Sequence, residues 1–254
     1  MNRSKRAALC VVVLFVLIGA LIVYIFSELF NESETPQAKE KNESALKFKN
    51  EYESINGDKV GDNKVRELSI PDDNPFIYKT AEELVEMINN KESFVVYFGF
   101  SKCPWCRSVL PTMIETAKSK NIDKIYYVDV LDIRDKYELD DNHKAIKTKD
   151  GSEGYNKLLE LLSSVLENYS PLTYKKGKKT ISVKIDEKRI YAPNVVIVKN
   201  GNAIALESGI SDKQENAYQE LTDEITCEMK EKFNCFFEKF NSDNGTCSLD
   251  EPIC

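Results

Sequence analysis

The chain has 254 residues, of which 42% are hydrophobic and 30% charged, so length and composition predict one sizeable folded domain or two small ones and exclude collagen and wholly disordered chains. The formal net charge of −7 argues against nucleic acid as the main partner, because a phosphate-binding surface must be basic. The single histidine, His143, disfavours histidine metal sites and Ser-His or Cys-His catalysis. The seven cysteines point instead to thiol chemistry or disulfides, depending on the compartment.

Residues 1–26 predict the cellular compartment of the protein. Arg3, Lys5 and Arg6 precede residues 7–26, a run of twenty residues without a charge, and a helix of that length spans about 30 Å, which matches a bilayer core. No small-residue cleavage site follows, so we expect residues 1–26 to form a cytoplasmic tip and an uncleaved transmembrane anchor. The positive-inside rule then predicts a single-pass cell-membrane protein whose N-terminus is cytoplasmic and whose remaining chain is extracytoplasmic.

Residues 27–73 are expected to form a flexible polar linker. Acidic residues outnumber basic ones there, and large apolar residues are few. Such a segment buries too little apolar surface to fold alone. The folded domain is therefore expected over residues 74–254.

In the domain, local patterns predict alternating strands and helices. Phe76–Tyr78 reads as a short strand, and Thr80 with Glu83 forms the capping box of a helix that ends near Asn90. The continuous apolar run at 94–100 is typical of a central strand covered on both faces. The next patterns predict a helix that includes Leu110 and Ala117, a strand at 125–130, a helix at 154–167 and a strand at 181–185. A hairpin of 195–198 and 203–206 around Asn200-Gly201 follows, and then a long amphipathic helix from about Ser211. This order of elements predicts an α/β sandwich with a mixed sheet.

The motif Cys103-Pro104-Trp105-Cys106 lies where the predicted central strand passes into a helix. Unpaired N–H groups and the helix dipole at that position favour a thiolate at Cys103. Cys106 lies one turn further on and can close a disulfide with it. Half of a zinc site is an alternative, but no second C-x-x-C or histidine partner exists. An inert structural disulfide is another, and the position after an apolar strand favours redox chemistry. Cys103 and Cys106 are therefore the candidate catalytic residues, with no metal and no cofactor beyond the pair itself.

Three features in the same order resemble the thioredoxin superfamily. The run 94–98 resembles the strand that leads into the active site, Pro111 is placed like the proline of the active-site helix, and Ala192-Pro193 before the strand and hairpin at 195–201 resembles the cis-proline region. The resemblance covers residues 76–221 apart from an insertion at about 131–188. Tyr97 departs from the pattern, because classical thioredoxins place there a buried acid that helps move protons from the second cysteine.

The resemblance implies an α/β thioredoxin-like fold with a mixed central sheet flanked by helices, and a cis peptide bond at Ala192-Pro193. It implies an enzyme, a thiol-disulfide oxidoreductase, in which Cys103 attacks and Cys106 resolves the mixed disulfide. Ala192 and Pro193 would then bind substrate, and Trp105 either contacts substrate or only shapes the surface.

The partners implied are client proteins with thiols or disulfides and a membrane or extracytoplasmic redox partner. The anchor, insertion and apolar strand also resemble the bacteriocin-transport accessory branch. The alternative function is a non-catalytic binding module with the same fold, serving a secretion, bacteriocin-transport or cell-wall partner.

Four cysteines near the C-terminus predict two structural disulfides in an extension at about 222–254. Cys227 and Cys235 on one helix would lie about 12 Å apart, beyond the reach of a disulfide, so each is expected to pair with the tail. A tail that returns antiparallel favours Cys235 with Cys247 and Cys227 with Cys254. The crossed pairing remains reachable.

Overall fold

The computed structural model describes residues 17–22, 35–242 and 247. The chain divides into two compact units, Met1–Glu40 and Lys41–Cys254. Of the first unit, the structure describes residues 17–22, which are helical, and residues 35–40, which include the first turn of a helix, α1, at Pro36–Glu53. The second unit carries the sheet and the cysteine motif.

The predicted membrane anchor at residues 7–26 requires correction. A bilayer span needs about 20 consecutive apolar residues in one helix. Among residues 17–22, 35–242 and 247, no helix combines that length with that hydropathy. Residues 7–16 and 23–26 of the predicted span lie outside the described residues. The predicted single-pass localisation therefore does not stand.

The described chain from Lys41 onward folds as mixed α/β structure. The remaining helices are α2 at Ala81–Asn89, α3 at Pro104–Ser119, α4 at Glu153–Leu161 and α5 at Asp223–Asn241. The strands are β1 Lys59–Val60, β2 Asn63–Lys64, β3 Phe76–Tyr78, β4 Phe94–Gly99, β5 Ile125–Asp129, β6 Lys136–Leu139, β7 Ala145–Lys149, β8 Glu167–Asn168, β9 Leu172–Lys176, β10 Lys179–Val183, β11 Lys188–Arg189, β12 Asn194–Lys199 and β13 Asn202–Glu207.

Five of these strands form the central sheet, in the order β13-β12-β4-β5-β3. β3 and β4 run parallel to β5, whereas β12 runs antiparallel to both β4 and β13. All six residues of the central strand β4 are buried, as its continuous apolar run predicts. The turn between β12 and β13 is Asn200-Gly201, with φ values of 50° and 73° that glycine and asparagine tolerate best.

Helices cover both faces of this sheet. On one face, which we call the dithiol face, α1, α3 and α5 pack against strand residues such as Val95, Tyr97 and Ile197. On the other, which we call the apolar face, α2 and α4 pack against residues such as Phe98, Val128 and Val196. Successive residues of β4 therefore serve opposite faces, which is the normal alternation of a strand.

The helix boundaries follow capping residues. α2 begins with the predicted capping box, in which Thr80 accepts from the Glu83 backbone and the Glu83 carboxylate accepts from the Thr80 backbone. The last helix begins later than the sequence predicted, because Thr222 caps α5 at Asp223. Residues 211–222 are not helical.

The predicted flexible linker at residues 27–73 also differs from the structure where residues 35–73 are described. Within α1, Ala45, Phe48 and Tyr52 are buried. Phe48 stacks on Phe76 with ring centroids 4.0 Å apart. Apolar residues spaced three and four apart form one stripe on a helix, and this stripe joins the core although the average composition of the segment is polar. Residues 27–34 lie outside the described residues.

The predicted insertion at 131–188 contains helix α4 and three two-stranded sheets, which pair β6 with β7, β8 with β11, and β9 with β10. α4 packs against α2 on the apolar face. A buried ion pair joins Arg189 to Asp135 across 2.7 Å, tying the end of the insertion to its start.

Candidate active site

Cys103 and Cys106 lie where β4 passes into α3. Cys103 is the N-cap residue, and its Sγ accepts a hydrogen bond from the Cys106 backbone N–H over 3.2 Å. Pro104 occupies the first helical turn, where its missing N–H removes no helical bond. The two cysteines are not bonded to each other. Cys103 is 4% exposed and Cys106 fully buried, so the more accessible sulfur is that of Cys103.

The surroundings of Cys103 favour its thiolate. The Cys106 thiol donates to it, and the backbone N–H groups of Cys106 and Trp105 donate as well. The positive charge of Arg134 acts in the same direction. Because these groups outweigh desolvation, the pKa of Cys103 lies below that of an ordinary cysteine.

The surroundings of Cys106 have the opposite effect. Burial raises the pKa of the Cys106 thiol well above its ordinary value, and the neighbouring Cys103 raises it further. A hydrogen bond with the Tyr97 side chain acts against this rise. The site therefore pairs one sulfur that ionises readily with one that holds its proton.

Ala192 and Pro193 lie beside the dithiol. The peptide bond between them is cis, in agreement with the expectation from the resemblance. The Cys103 Sγ–H donates to the Ala192 carbonyl over 3.2 Å, a contact between residues 89 positions apart. Trp105 is half-buried, and together with Ala192 and Pro193 it lines a surface cleft. Other residues that line the cleft are Tyr191, Asn194, Leu206 and Ile210. The structure thus brings together all five residues that the sequence singled out for catalysis and substrate binding.

Arg134 is a site residue that the sequence did not reveal. It follows β5 inside the insertion, and its guanidinium lies 5.1 Å from the centre of the Phe100 ring. The next residue, Asp135, is held by the buried ion pair with Arg189. The positive charge of Arg134 lies near Cys103 because of this long-range packing, and no local sequence pattern indicates it.

A group of tyrosines lies behind Cys106 on the dithiol face. Strand register places Tyr97 of β4 and Tyr78 of β3 opposite Tyr127 of β5. Helix α1 adds Tyr52, whose hydroxyl lies 3.2 Å from that of Tyr97. The Glu51 carboxylate accepts from the Tyr127 hydroxyl over 3.3 Å and also from the Tyr78 hydroxyl. The spacing of Ala45, Phe48 and Tyr52 was the signal that could have placed α1 here.

Arg107, next to the motif, is 1% exposed and connects α3 to the chain around α1. It donates to the carbonyls of Tyr52 and Arg66, each over 2.7 Å, and to the Asn56 side chain over 2.6 Å. A buried guanidinium needs such acceptors, because its charge costs free energy without them. Helix α3, which carries the dithiol, is therefore joined directly to residues 52–66.

The C-terminal cysteines are described only in part. Cys235 on α5 and Cys247 form a disulfide with Cα atoms 5.1 Å apart, which is the pairing the sequence favoured. The second predicted pair, Cys227–Cys254, cannot be placed because Cys254 lies outside the described residues.

Among the described residues, no group of three or more histidine, cysteine or acidic side chains is arranged to hold a metal ion. No family model matches this chain, and no curated protein matches it. The interpretation of the site therefore depends on its own geometry.

Proposed function

We propose that this protein is a thiol-disulfide oxidoreductase with a thioredoxin-like fold. The observation that carries the proposal is the position of Cys103, which caps a helix, has a lowered pKa and contacts the Ala192 carbonyl beside Pro193. A thiolate of this kind is the nucleophile of disulfide exchange. The mixed central sheet and the strand-to-helix position of the motif support the same assignment.

The reaction follows from the two cysteine environments. The Cys103 thiolate attacks one sulfur of a client disulfide, forms a Cys103–client disulfide and releases the other client sulfur as a thiolate. Cys106 then attacks Cys103, the two become a disulfide, and the remaining client sulfur leaves. The client disulfide is reduced to two thiols and the enzyme dithiol is oxidised. In the reverse direction, the oxidised enzyme forms a disulfide in a client dithiol.

The cleft beside Trp105 is suited to an extended client segment. It is open, and Pro193, Leu206 and Ile210 give it apolar contacts. The proposed clients are proteins with accessible thiols or disulfides, and a redox partner must restore the enzyme's starting state after each cycle. The proposed role of Ala192 and Pro193 is to hold the client backbone against Cys103.

The test is covalent trapping with the full chain. Reduced Cys106→Ala protein is mixed with a glutathionylated peptide, and adducts are mapped by mass spectrometry. We expect an adduct on Cys103, because the resolving thiol is absent. The double variant Cys103→Ser, Cys106→Ala should form no adduct, because it also lacks the attacking thiol. The matched control replaces both Cys235 and Cys247 with serine, which should leave turnover of the peptide intact.

Turnover that persists in Cys103→Ser, or adducts that form on Cys106 in preference to Cys103, would contradict the proposal. A non-catalytic binding module would show no turnover with any variant.

A further inference from the structure

Residues 208–212, which we call the wall segment, follow β13 and belong to no helix or strand. Ser208 and Ile210 of this segment line the cleft beside Trp105, so they form part of the surface that a client meets in the function proposed above. A segment outside regular structure must satisfy its backbone N–H and C=O groups with side chains or water. The position of this part of the cleft therefore depends on the groups that bind the wall segment.

One turn of α5 binds three consecutive residues of the wall segment. Lys232 Nζ donates to the Ile210 carbonyl over 2.6 Å and to the Asp212 carboxylate over 3.1 Å. The Glu228 carboxylate accepts from Ser211 Oγ over 2.6 Å and from the Asp212 backbone N–H over 2.8 Å. Lys232 and Glu228 are one helical turn apart and form an ion pair of 3.2 Å with each other. The same two side chains therefore hold each other and the wall segment.

These contacts are partly sheltered from water. The side chains of Lys232 and Glu228 are 25% and 19% exposed, and Ser211 is buried. A hydrogen bond with a charged group is stronger than one between neutral groups, and partial burial reduces its screening by salt. The Asp212 carboxylate, by contrast, is almost fully exposed, so its ion pair with Lys232 contributes little. The bonds to the Ile210 carbonyl, the Ser211 hydroxyl and the Asp212 backbone are therefore the ones that fix the wall segment.

Gly209 brings the wall segment directly against α5. Its φ of 71° lies in the left-handed region, where glycine is favoured. A Cβ atom on residue 209 would lie 2.1 Å from Cζ of Phe233, which is fully buried and follows Lys232 in α5. The wall segment therefore packs on α5 through its backbone as well as through hydrogen bonds.

We propose that Lys232 and Glu228 are positioning residues for client binding, because by holding the wall segment against α5 they keep Ile210 in place as part of the cleft. The inference rests on the function proposed above. Neither side chain is among the described residues that line the cleft, so their effect on a client must pass through the wall segment.

The expected consequence concerns affinity and not the exchange step. Without the Lys232 ammonium, the Ile210 carbonyl loses that donor and Glu228 loses its cationic neighbour. The wall segment then samples more than one position, and a client must order it on binding, which costs free energy. Attack by Cys103 on a client already bound is unchanged. The substitution should therefore weaken binding without changing the maximal rate.

The experiment compares two disulfides that use the cleft to different extents. Reduced full-length protein is mixed in a stopped-flow instrument with an excess of either a glutathionylated peptide or hydroxyethyl disulfide, which is too small to fill the cleft. Trp105 is the one tryptophan of the sequence, so its fluorescence follows oxidation of the adjacent dithiol. The dependence on concentration gives the maximal rate and half-saturating concentration for the peptide, and the second-order rate constant for the small disulfide.

In Lys232→Met we expect the half-saturating concentration of the peptide to rise about fivefold, the effect of one partly exposed hydrogen bond to a charged group. The maximal rate and the rate constant for hydroxyethyl disulfide should stay at their wild-type values. Glu228→Gln should raise the same half-saturating concentration. Ile210→Ala should also raise it, because that variant removes the apolar surface itself.

The matched control is Lys230→Met, the same substitution two residues earlier on α5. Lys230 also forms an ion pair, 2.9 Å from Glu115 of α3, but within the described structure it makes no hydrogen bond or ion pair with the wall segment. It should leave all three quantities at their wild-type values. An unchanged half-saturating concentration in both Lys232→Met and Glu228→Gln would overturn the inference, as would an equal rise in Lys230→Met.

Equal slowing with the peptide and the small disulfide would also overturn it, because the substitution would then act on the dithiol and not on the cleft. If Lys232→Met does not fold, Glu228→Gln decides. Failure of the proposed function has a different result: oxidation would be absent in the wild type or would persist in Cys103→Ser. Failure of this inference alone leaves oxidation through Cys103 intact and removes only its dependence on Lys232 and Glu228.

Discussion

The two faces of the central sheet bury different chemistry. On the apolar face, the buried cluster contains one hydroxyl among the described residues, that of Tyr155, which accepts from the Ile190 backbone. On the dithiol face, the hydroxyls of Tyr52, Tyr97 and Tyr127 are buried together behind Cys106. A buried hydroxyl costs free energy unless it is hydrogen-bonded. One face is therefore packed almost entirely by apolar groups, whereas the other places buried, hydrogen-bonded hydroxyls beside the two thiols.

The largest effect on stability is expected on the apolar face. Leu84 is fully buried there, and Leu84→Ala should lower the free energy of unfolding by about 3 kcal/mol through lost burial and a residual cavity. The substitution should leave the pH midpoint of Cys103 alkylation unchanged, because it touches no group near the dithiol. Urea unfolding and alkylation at a series of pH values measure both quantities. A shifted alkylation midpoint would show that the two faces are coupled.

For Arg107→Met we expect a smaller loss of stability, localised to residues 54–66. The variant leaves the buried carbonyl of Tyr52 without one of its donors, which should cost about 2 kcal/mol. We expect faster proteolysis within residues 54–66, since Arg107 also binds Asn56 and the Arg66 carbonyl. Leu84→Ala is the control for general destabilisation. Equal cleavage of residues 54–66 in both variants would show that Arg107 does not hold this segment specifically.

The smallest effect concerns the rim of the dithiol face, where Glu228 of α5 accepts from Ser211 Oγ and the Asp212 backbone. These bonds lower the pKa of Glu228 to about 2, whereas an unfolded glutamate titrates near 4.3. A carboxyl with a lowered pKa stabilises the fold above the unfolded value and loses that contribution as the pH falls toward 2.

Glu228→Gln should therefore cost about 1 kcal/mol at neutral pH and about half of that near pH 3, which lies between the unfolded and the folded pKa. Unfolding curves at neutral pH and near pH 3 measure the change. If the loss of stability is the same at both pH values, the negative charge of Glu228 does not contribute to the free energy of unfolding.

Much of the central sheet could be predicted because its signals are local. The apolar run of β4, the capping box at Thr80 and the Asn200-Gly201 turn each lie within a few residues and appear as expected. The C-x-x-C motif and Ala192-Pro193 were found in the same way, and the structure brings them together.

The rest depends on contacts between distant residues. Phe48 is buried by Phe76, and Arg134 acts on Cys103 from the insertion, so no short window of sequence reveals either. Residues 27–73 were predicted to be a linker because three apolar side chains in α1 are diluted by many polar neighbours. Glu51, which accepts from the hydroxyls of Tyr78 and Tyr127, was missed for the same reason.

The burial of α1 moves the true start of the domain. A fragment cut at residue 74 would keep every strand of the central sheet and both Cys103 and Cys106. It would nevertheless uncover the ring of Phe76, which stacks on Phe48, and the hydroxyl of Tyr97, which meets Tyr52. We therefore expect the smallest autonomous unit to include Ala45 at its N-terminal side, and the part of the chain that carries the dithiol to need the polar stretch that precedes it.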